Sequence, residues 1–216
     1  MSVSLPNGAV ISIASGYGPV KAMSALTNAT EGVATLEASH GVVENDILEI
    51  TSGWSKLNGR IARADSVATN DVTLEDINTS STIRFPAGSG IGSVREISGW
   101  TQIAQVLETN SSGGDQNFTE YGFLEDDTRR QIPTDKSPEA FTVTIADDPT
   151  LAAYPLLSAA DEDRVPRAVR IQLPNGSAIY WNAFVTLKKT PSLTKNEVMA
   201  VTATMSLTAE VTRYAA

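Results

Sequence analysis

Alternation of apolar and polar residues is the main pattern along this chain, and it predicts short β-strands over most of its length. Alternating runs occur at residues 9–14, 34–38, 46–50 and 71–75, and Gly, Asn, Asp and Ser fill the gaps between them. Strands of this length and spacing are typical of small barrels and sandwiches. The pattern therefore predicts a mainly β protein of the sandwich or barrel type, with one short α-helix and a long loop.

Residues 30–83 are expected to form a compact block of about five short strands. The turns between them contain residue types that tolerate tight or left-handed conformations, namely Gly41, Asn45-Asp46, Asn58-Gly59 and Asn70-Asp71. The Gly- and Ser-rich stretch 84–93 is interpreted as a linker to another part of the chain.

The pattern changes after Gly99. Residues 100–109 alternate and predict one strand with two usable faces, and residues 140–147 predict another. Between them, residues 110–139 form a long polar stretch, which is interpreted as a loop. A loop of this length inside a compact domain is usually functional or mobile.

One helix is predicted shortly after residue 147. Asp147 or Asp148 can cap it, and Pro149 fits the first helical position. Pro155 limits its length, so the helix is expected to be short, bent or in two parts.

The carboxyl-terminal part predicts long strands. In residues 177–188, one face carries Ile179, Trp181, Ala183, Val185 and Leu187. Residues 196–214 alternate throughout and predict a single strand of about 15 residues, well beyond the usual length. One of its faces is apolar, from Met199 to Val211, and the other is small and hydroxylated. Such a strand suits a large sheet that lines a space or joins the sheet of a neighbour.

The tetrapeptide Leu-Pro-Asn-Gly occurs twice, at 5–8 and 173–176, each time before an alternating run. Proline presets one turn residue, and the following residues permit a left-handed conformation. Both stretches are therefore predicted to be corners between strands, without ligand chemistry.

The composition of the chain reduces the number of possible functions. The 216 residues suffice for one large domain or for a medium and a small one. The net charge of −9 argues against a surface that grips nucleic acid. The chain has no cysteine, which excludes disulfides and thiolate metal sites. Neither a secretion signal nor an apolar stretch of about 18 residues is present, so we expect a protein of the cytosol, or of an assembly built there, that does not cross a membrane.

No catalytic, metal or cofactor site is predicted. The single histidine, His40, lies in a predicted turn, where a structural role is the simpler interpretation. Clusters of carboxylates occur at 125–127, 147–148 and 161–163, and we interpret them as solvated faces or a helix cap. Paired carboxylates could serve glycoside hydrolysis, but an aromatic content of 6% argues against a sugar-binding cleft.

The polar stretch 110–139 contains the one candidate site. Large apolar residues stand there among acidic and basic ones, which predicts a contact with another chain; the alternative is packing onto its own domain. The candidate contact residues are Phe118, Tyr121, Phe123, Leu124, Glu125, Asp126, Asp127, Arg129 and Arg130.

Residues 96–216 resemble the major tail tube protein of long-tailed bacteriophages with non-contractile tails. The resemblance rests on an ordered series: the strand GWTQIAQVLETN, the acidic stretch ending in DKSPEAFTVTIADDP, the segment LAAYPLLSAADED, RAVRIQLPNG with SAIYWNAFVTLKKT, and SLTKNEVMAVTATMSLTAEV. The order and spacing of these segments carry the resemblance more than any single motif does.

Residues 30–83 resemble a different module, a small barrel repeat of phage virion proteins that is described as similar to a domain of ubiquitin-activating enzymes. The segments ASHGVVENDILEI and LNGRIARADSVATNDVTLEDI carry this likeness. The two resemblances imply a discontinuous tail tube domain, 1–27 and 96–216, with an inserted barrel and linker at 28–95.

The resemblance implies a structural role without a cofactor. Members of the family form stacked hexameric rings around a tape-measure protein, start on tail-tip or initiator proteins and stop at a terminator. DNA later passes through the lumen without specific binding. The protein would thus reside in the virion tail after assembly in the host cytoplasm. The stretch 110–139 would become ordered against the next ring.

Three other functions stay open from the sequence. The chain could be an adhesin-like binding or decoration module of a virion, an enzyme, or the tube protein of a contractile tail or secretion-type system.

Overall fold

The computed structural model describes residues 7–216. It confirms the mainly β fold class: this part of the chain contains sixteen strands and one helix. The strands are β1 Val10–Gly16, β2 Lys21–Leu26, β3 Val33–Leu36, β4 Ile47–Ser52, β5 Ile61–Ala68, β6 Asp71–Leu74, β7 Gly92–Glu96, β8 Gly99–Gln102, β9 Val106–Ser112, β10 Gln116–Tyr121, β11 Arg130–Lys136, β12 Ala140–Ala146, β13 Arg167–Gln172, β14 Ala178–Ser192, β15 Ala200–Leu207 and β16 Thr212–Tyr214, and the helix is α1 Ala153–Asp163.

Six strands form a closed barrel in the order β2-β3-β6-β5-β4-β7. Closure leaves no free strand edge, and the inward side chains fill the interior around Trp54, Leu48 and Ile50. Strand β7 completes the barrel, so the end of the stretch interpreted as a linker is part of the sheet. Strand pairing extends the barrel from Lys21 to Glu96. The division of the chain into an inserted unit and a discontinuous one stays a prediction.

The remaining strands, apart from a hairpin, form one eight-stranded sheet in the order β8-β1-β13-β14-β15-β12-β9, with β16 pairing beside β14. Its two outermost strands, β8 and β9, are consecutive in sequence. The sheet therefore curls, and residues 103–105 bridge its edges. Ile103 N–H donates to Ile11 O (2.8 Å) on one side, and Gln105 O accepts from Ala146 N–H (3.1 Å) on the other.

The single strand predicted over 100–109 is therefore wrong. Gln105 has a positive φ of 55°, a left-handed conformation that interrupts a strand. The chain leaves one edge of the curled sheet there and joins the opposite edge. Both halves keep their alternation, which is why the break is not visible in the pattern.

The core of the curled sheet lies on one face of β14. Trp181, Ala183, Val185 and Leu187 are buried there, as predicted, and Ile179 is partly buried against them. Helix α1 contributes Ala153, Leu157 and Ala160 to the same core. Alternation thus identified the inward face of this strand correctly.

The long strand is β14, with 15 residues, whereas the final run does not form one strand. It divides into β15 and β16 because residues 208–211 leave the sheet; Thr208 N–H donates to Asn182 O at 2.9 Å. This break lets β15 follow the second half of β14 while β16 follows its first half. Met199, expected on the buried face, is 50% exposed.

Helix α1 is short, as predicted, but its start was predicted wrongly. The residue before it is Ala152, and no side chain caps it. Asp148 instead accepts hydrogen bonds from the amide and hydroxyl of Thr150. Pro155 is tolerated because it lies in the first turn, where backbone N–H groups lack intrahelical partners.

The turn at 173–176 is a corner between β13 and β14, as predicted. Leu173 O accepts from Gly176 N–H (3.0 Å), and the Asn175 side chain accepts from the Ser177 amide and hydroxyl. Gly176 has a φ of +85°, which glycine adopts without strain. In the first tetrapeptide, residues 5 and 6 lie outside the described residues, and Gly8 has a φ of +92°.

Candidate assembly surfaces

Residues 116–136 form a β-hairpin, so the loop predicted for this stretch is wrong. Strands β10 and β11 pair antiparallel, with a register shift between Gln116 and Phe118. All residues of β11 are exposed. Because both faces are exposed and polar, the hairpin lacks the one-sided apolar alternation that identifies a strand in a sequence. It projects from the sheet between Ser112, where β9 ends, and Ala140, where β12 begins.

The structure brings most of the predicted contact residues together at the tip of this hairpin. Phe123 and Leu124 are 56% and 106% exposed. Phe118 lies apart, on the shaft of the hairpin opposite Pro133, and is 56% exposed. Of the other predicted residues, Tyr121, Asp126, Asp127 and Arg129 line a cavity at the tip, Glu125 lies in the turn, and Arg130 begins β11. Ile132 on β11, which was not predicted, is 51% exposed.

The tip is held by local contacts only. Tyr121 and Phe123 stack edge to face with ring centroids 5.8 Å apart. Arg130 pairs with Asp126 at 2.9 Å, and Arg129 pairs with Glu120 at 3.4 Å. Exposed ion pairs contribute about 0–1 kcal/mol each. The apolar tip therefore gains little from its own chain and presents its side chains to solvent.

A second surface is the outer face of the half-sheet β14-β15-β12-β9, the face opposite the core. Cross-strand registers place its side chains in rows. One row runs through Thr186, Thr204, Thr142 and Asn110, and the next runs through Lys188, Thr202, Thr144 and Glu108. We call this surface, with Ser206 and Ser112, the hydroxyl face. Its opposite charges lie at its two margins, and most of its area is neutral and polar.

The same half-sheet has two edges without a strand partner among residues 7–216. On one side, β13 pairs with β14 only up to Ala183, so residues 184–192 have β15 as their single strand neighbour. On the other side, β9 pairs with β12 alone. Exposed apolar residues stand at both edges, Phe184 (47%) and Leu107 (53%). Unpaired edges of this kind are templates for pairing with another chain.

The barrel packs on the outer face of the other half-sheet. Ile61 and Ile97 of the barrel contact Ala168, Tyr180 and Tyr214 of the sheet. Because the sheet curls around its core, the barrel and the hydroxyl face lie on opposite sides of it.

Polar groups fix the barrel in this position. Glu49 accepts hydrogen bonds from Arg95 (2.6 Å) of its own barrel and from the Asn182 amide (2.7 Å) of β14. Tyr214 Oη accepts from the Arg63 amide (2.7 Å) and donates to Glu75 O (3.3 Å). Burial raises the pKa of Tyr214 to about 12, so its phenol is neutral at physiological pH.

The described part of the chain holds no group of three or more His, Cys, Asp or Glu side chains that could bind a metal ion. His40 is buried in a turn: its Nδ1 accepts from Val42 N–H and its Nε2 contacts Thr69 O, each at 3.0 Å. Within residues 7–216, no helix is long and apolar enough to cross a membrane.

Comparison with known families decides the identity. The model of the phage tail tube protein family matches residues 52–216, which is most of the chain and includes the curled sheet from β8 onward. The chain belongs to the phage tail tube protein family. It is therefore a structural component of a phage tail, as the resemblance implied.

Two solved structures are similar to this tail tube protein at low identity. One is a cryo-EM structure of the anti-feeding prophage cap, a tube-terminating cap, with 24% identity over 53% of this chain and 83% of that chain and a TM-score of 0.37. Another is the sheath–tube complex, in its extended state, of an extracellular contractile injection system, with 17% identity over 50% and 80% and a TM-score of 0.36. No curated protein matches the chain.

One loop of the tail tube protein carries three exposed apolar residues that were not predicted as contacts. Leu193, Val198 and Met199 are 79%, 63% and 50% exposed in the loop between β14 and β15. In the sequence, Val198 and Met199 look like the first residues of the final strand. Only the position where β14 turns back shows that they belong to a loop.

Proposed function

We propose that this tail tube protein assembles into hexameric rings that stack head to tail and form the tube of a phage tail. The observation that carries the proposal is the pair of unpaired strand edges on one half-sheet, residues 184–192 of β14 and strand β9. Pairing one edge with the other edge of a neighbouring copy is a heterologous contact, which closes into a ring when the rotation between copies fits. Closure removes both free edges.

The hydroxyl face would line the lumen of such a ring. It belongs to the half-sheet that carries the edges, and the barrel lies on the opposite side, where it would be displayed outward. A lining with few cations suits a conduit for DNA, because cations that neutralise phosphates create binding rather than passage. The net charge of −9 adds a general repulsion.

The hairpin would supply the contact between rings. Its exposed tip residues, Phe123 and Leu124 above all, project from one end of the sheet. Strand β10, from Gln116 to Tyr121, spans roughly 17 Å, and the tip residues 122–129 extend the hairpin further toward a copy in the next ring. The contact set in this proposal remains Phe118, Tyr121, Phe123, Leu124, Glu125, Asp126, Asp127, Arg129 and Arg130.

The partners follow from this arrangement. Stacking of rings is open-ended, so a tail-tip initiator must start the tube and a terminator must stop it. A tape-measure protein would occupy the lumen before DNA does, and the assembly would form in the host cytoplasm. The long non-contractile tail is part of the same proposal.

Electron microscopy of the concentrated purified protein tests the proposal. The expected result is rings or tubes of uniform bore with six-fold symmetry. A matched variant replaces residues 115–136 by a two-residue turn between Gly114 and Ser137, which are already hydrogen-bonded at 3.2 Å. This variant should melt like the wild type, because no hairpin residue belongs to a core, yet form no tubes. A stable monomer that binds glycans and never polymerises would overturn the proposal.

A further inference from the structure

The core of the curled sheet is open at the end from which the hairpin projects. A cleft of about 240 Å³ lies there, and we call it the end cleft. Its lining is mainly apolar: Phe141, Ile171, Ile179, Trp181, Leu207 and Val211. The polar residues that line it are Ser111 and Glu139. A dry apolar cavity of about 150 Å³ accepts a benzene-sized group, so the end cleft has room for at least one aliphatic side chain.

Trp181 forms part of the wall of this cleft. The residue is 3% exposed, and its indole ring adds to the apolar lining. Such a lining favours an occupant with an aliphatic side chain, because docking removes apolar surface of both partners from water. A loop with an exposed leucine meets this requirement.

The opposite end of the same sheet carries such a segment. Residues 193–199 connect β14 to β15, and a turn closes them through a hydrogen bond from Glu197 N–H to Thr194 O (3.2 Å). Leu193 is 79% exposed at the base of this turn. We call this segment the β14–β15 loop.

The strand registers place the loop and the cleft at opposite ends. Ser112, Ala140 and Ser206 align at the cleft end, whereas Ala146 and Ala200 align at the loop end, close to Ser192. Six steps along β12 separate the two ends by roughly 20 Å. Head-to-tail stacking brings the loop end of one copy onto the cleft end of the next. The hairpin tip cannot take this place in such a stack, because the hairpin grows from the cleft end itself.

The charges of the loop and of the cleft are also complementary. Lys195 lies at the tip of the loop, and Glu139 lines the cleft. Neither side chain forms an ion pair within residues 7–216. Opposite charges at the margin of an apolar contact set its register more than its strength.

We infer that the β14–β15 loop of one copy docks in the end cleft of the copy stacked beneath it, with Leu193 inserted beside Trp181 and Lys195 paired with Glu139. This inference rests on the proposed function and names the site at which successive rings meet. Each ring-to-ring junction thereby has two parts: the hairpin of one copy reaches toward its neighbour, and the loop of that neighbour enters the cleft.

Cross-linking of tubes tests the docking directly, because the chain contains no cysteine of its own. The variant Ser111→Cys with Leu193→Cys should yield a ladder of linked chains when tubes are treated with a short bismaleimide. Ser111→Cys with Val43→Cys is the matched control, and it should yield no ladder. Val43 is 60% exposed on the barrel, at the opposite end of β4 from Lys56, which shares a groove with Glu139.

Polymerisation of charge and apolar variants gives a second readout. Leu193→Asp should raise the critical concentration for tube formation about tenfold or more, whereas Val43→Asp should change it by less than about twofold. Glu139→Lys and Lys195→Glu should each raise it about threefold, and the double variant should restore it.

The outcomes separate the two proposals. Wild-type protein that never forms tubes overturns the proposed function and this docking together. Tubes that form without the ladder, with Leu193→Asp polymerising like the wild type, overturn the docking and leave the proposed function standing.

Discussion

The contact between barrel and sheet depends on Tyr214, and the variant Tyr214→Phe measures how strongly. The phenol oxygen accepts a hydrogen bond from the Arg63 backbone N–H (2.7 Å), and the phenol O–H donates one to the Glu75 backbone carbonyl (3.3 Å). Phenylalanine keeps the ring and its contacts with Tyr180 and the Arg63 guanidinium. The substitution therefore removes two hydrogen bonds with little change in packing.

The expected cost follows from burial. Tyr214 is 1% exposed, so the Arg63 N–H is left without an acceptor in a site that excludes water. Loss of a buried partner costs about 1–3 kcal/mol, and we expect about 2 kcal/mol for this site. In a protein of this size, that change lowers the melting temperature by about 4–8 °C.

The pH dependence gives a sharper test. The pKa of Tyr214 is raised to about 12 in the folded protein, against 10 for an ordinary tyrosine. The unfolded chain therefore loses this proton first, and the stabilisation is complete below pH 10 and is lost as the pH rises toward 12. Two pKa units correspond to about 2–3 kcal/mol. The advantage of the wild type over Tyr214→Phe should thus disappear by about pH 12.

Urea unfolding followed by tryptophan fluorescence, at intervals from pH 7 to pH 12, measures both quantities. The substitution removes only the phenol group, so the difference in stability between the two proteins at each pH reports on Tyr214. A difference below about 0.5 kcal/mol at pH 7, or one that stays constant up to pH 12, would refute the reasoning.

Two further substitutions test the two cores. Gly92→Ala places a Cβ at 2.0 Å from Thr51 O in the β4–β7 pair, so it should lower the free energy of unfolding of the barrel, measured in urea, by at least about 1 kcal/mol. The control Gly122→Ala should be neutral, because its Cβ would meet nothing closer than 3.9 Å. An equal midpoint for these two variants would contradict the close approach of β4 and β7. Leu157→Ala should lower the free energy of unfolding of the curled sheet by about 2–5 kcal/mol, because Leu157 is fully buried. The control Leu124→Ala, at a fully exposed position, should change that free energy by less than about 0.5 kcal/mol. A small effect of Leu157→Ala in thermal unfolding would mean that α1 does not fill the core.

The strand edges and the surfaces proposed for assembly could be predicted from the sequence only in part. The candidate contact residues of the hairpin were selected because large apolar side chains stand among charged ones, a property of composition, and their contact with another chain stays a prediction. Leu193 was not selected, because one exposed leucine next to a strand has no distinguishing pattern. The hairpin itself was taken for a loop, since a strand that is polar on both faces does not alternate.

The sequence by itself determined which side chains of β14 and β15 face the core, where the Pro-Asn-Gly corner lies, and that the chain is a β protein of the tail tube family. These are local properties, set by the two-residue period of a strand and by the turn preferences of single residues. Only the tertiary structure decided that residues 99–112 split between opposite edges, that β14 is the long strand, and which edges stay unpaired. Strand pairing joins residues far apart in the chain, and alternation specifies a face without specifying a neighbour.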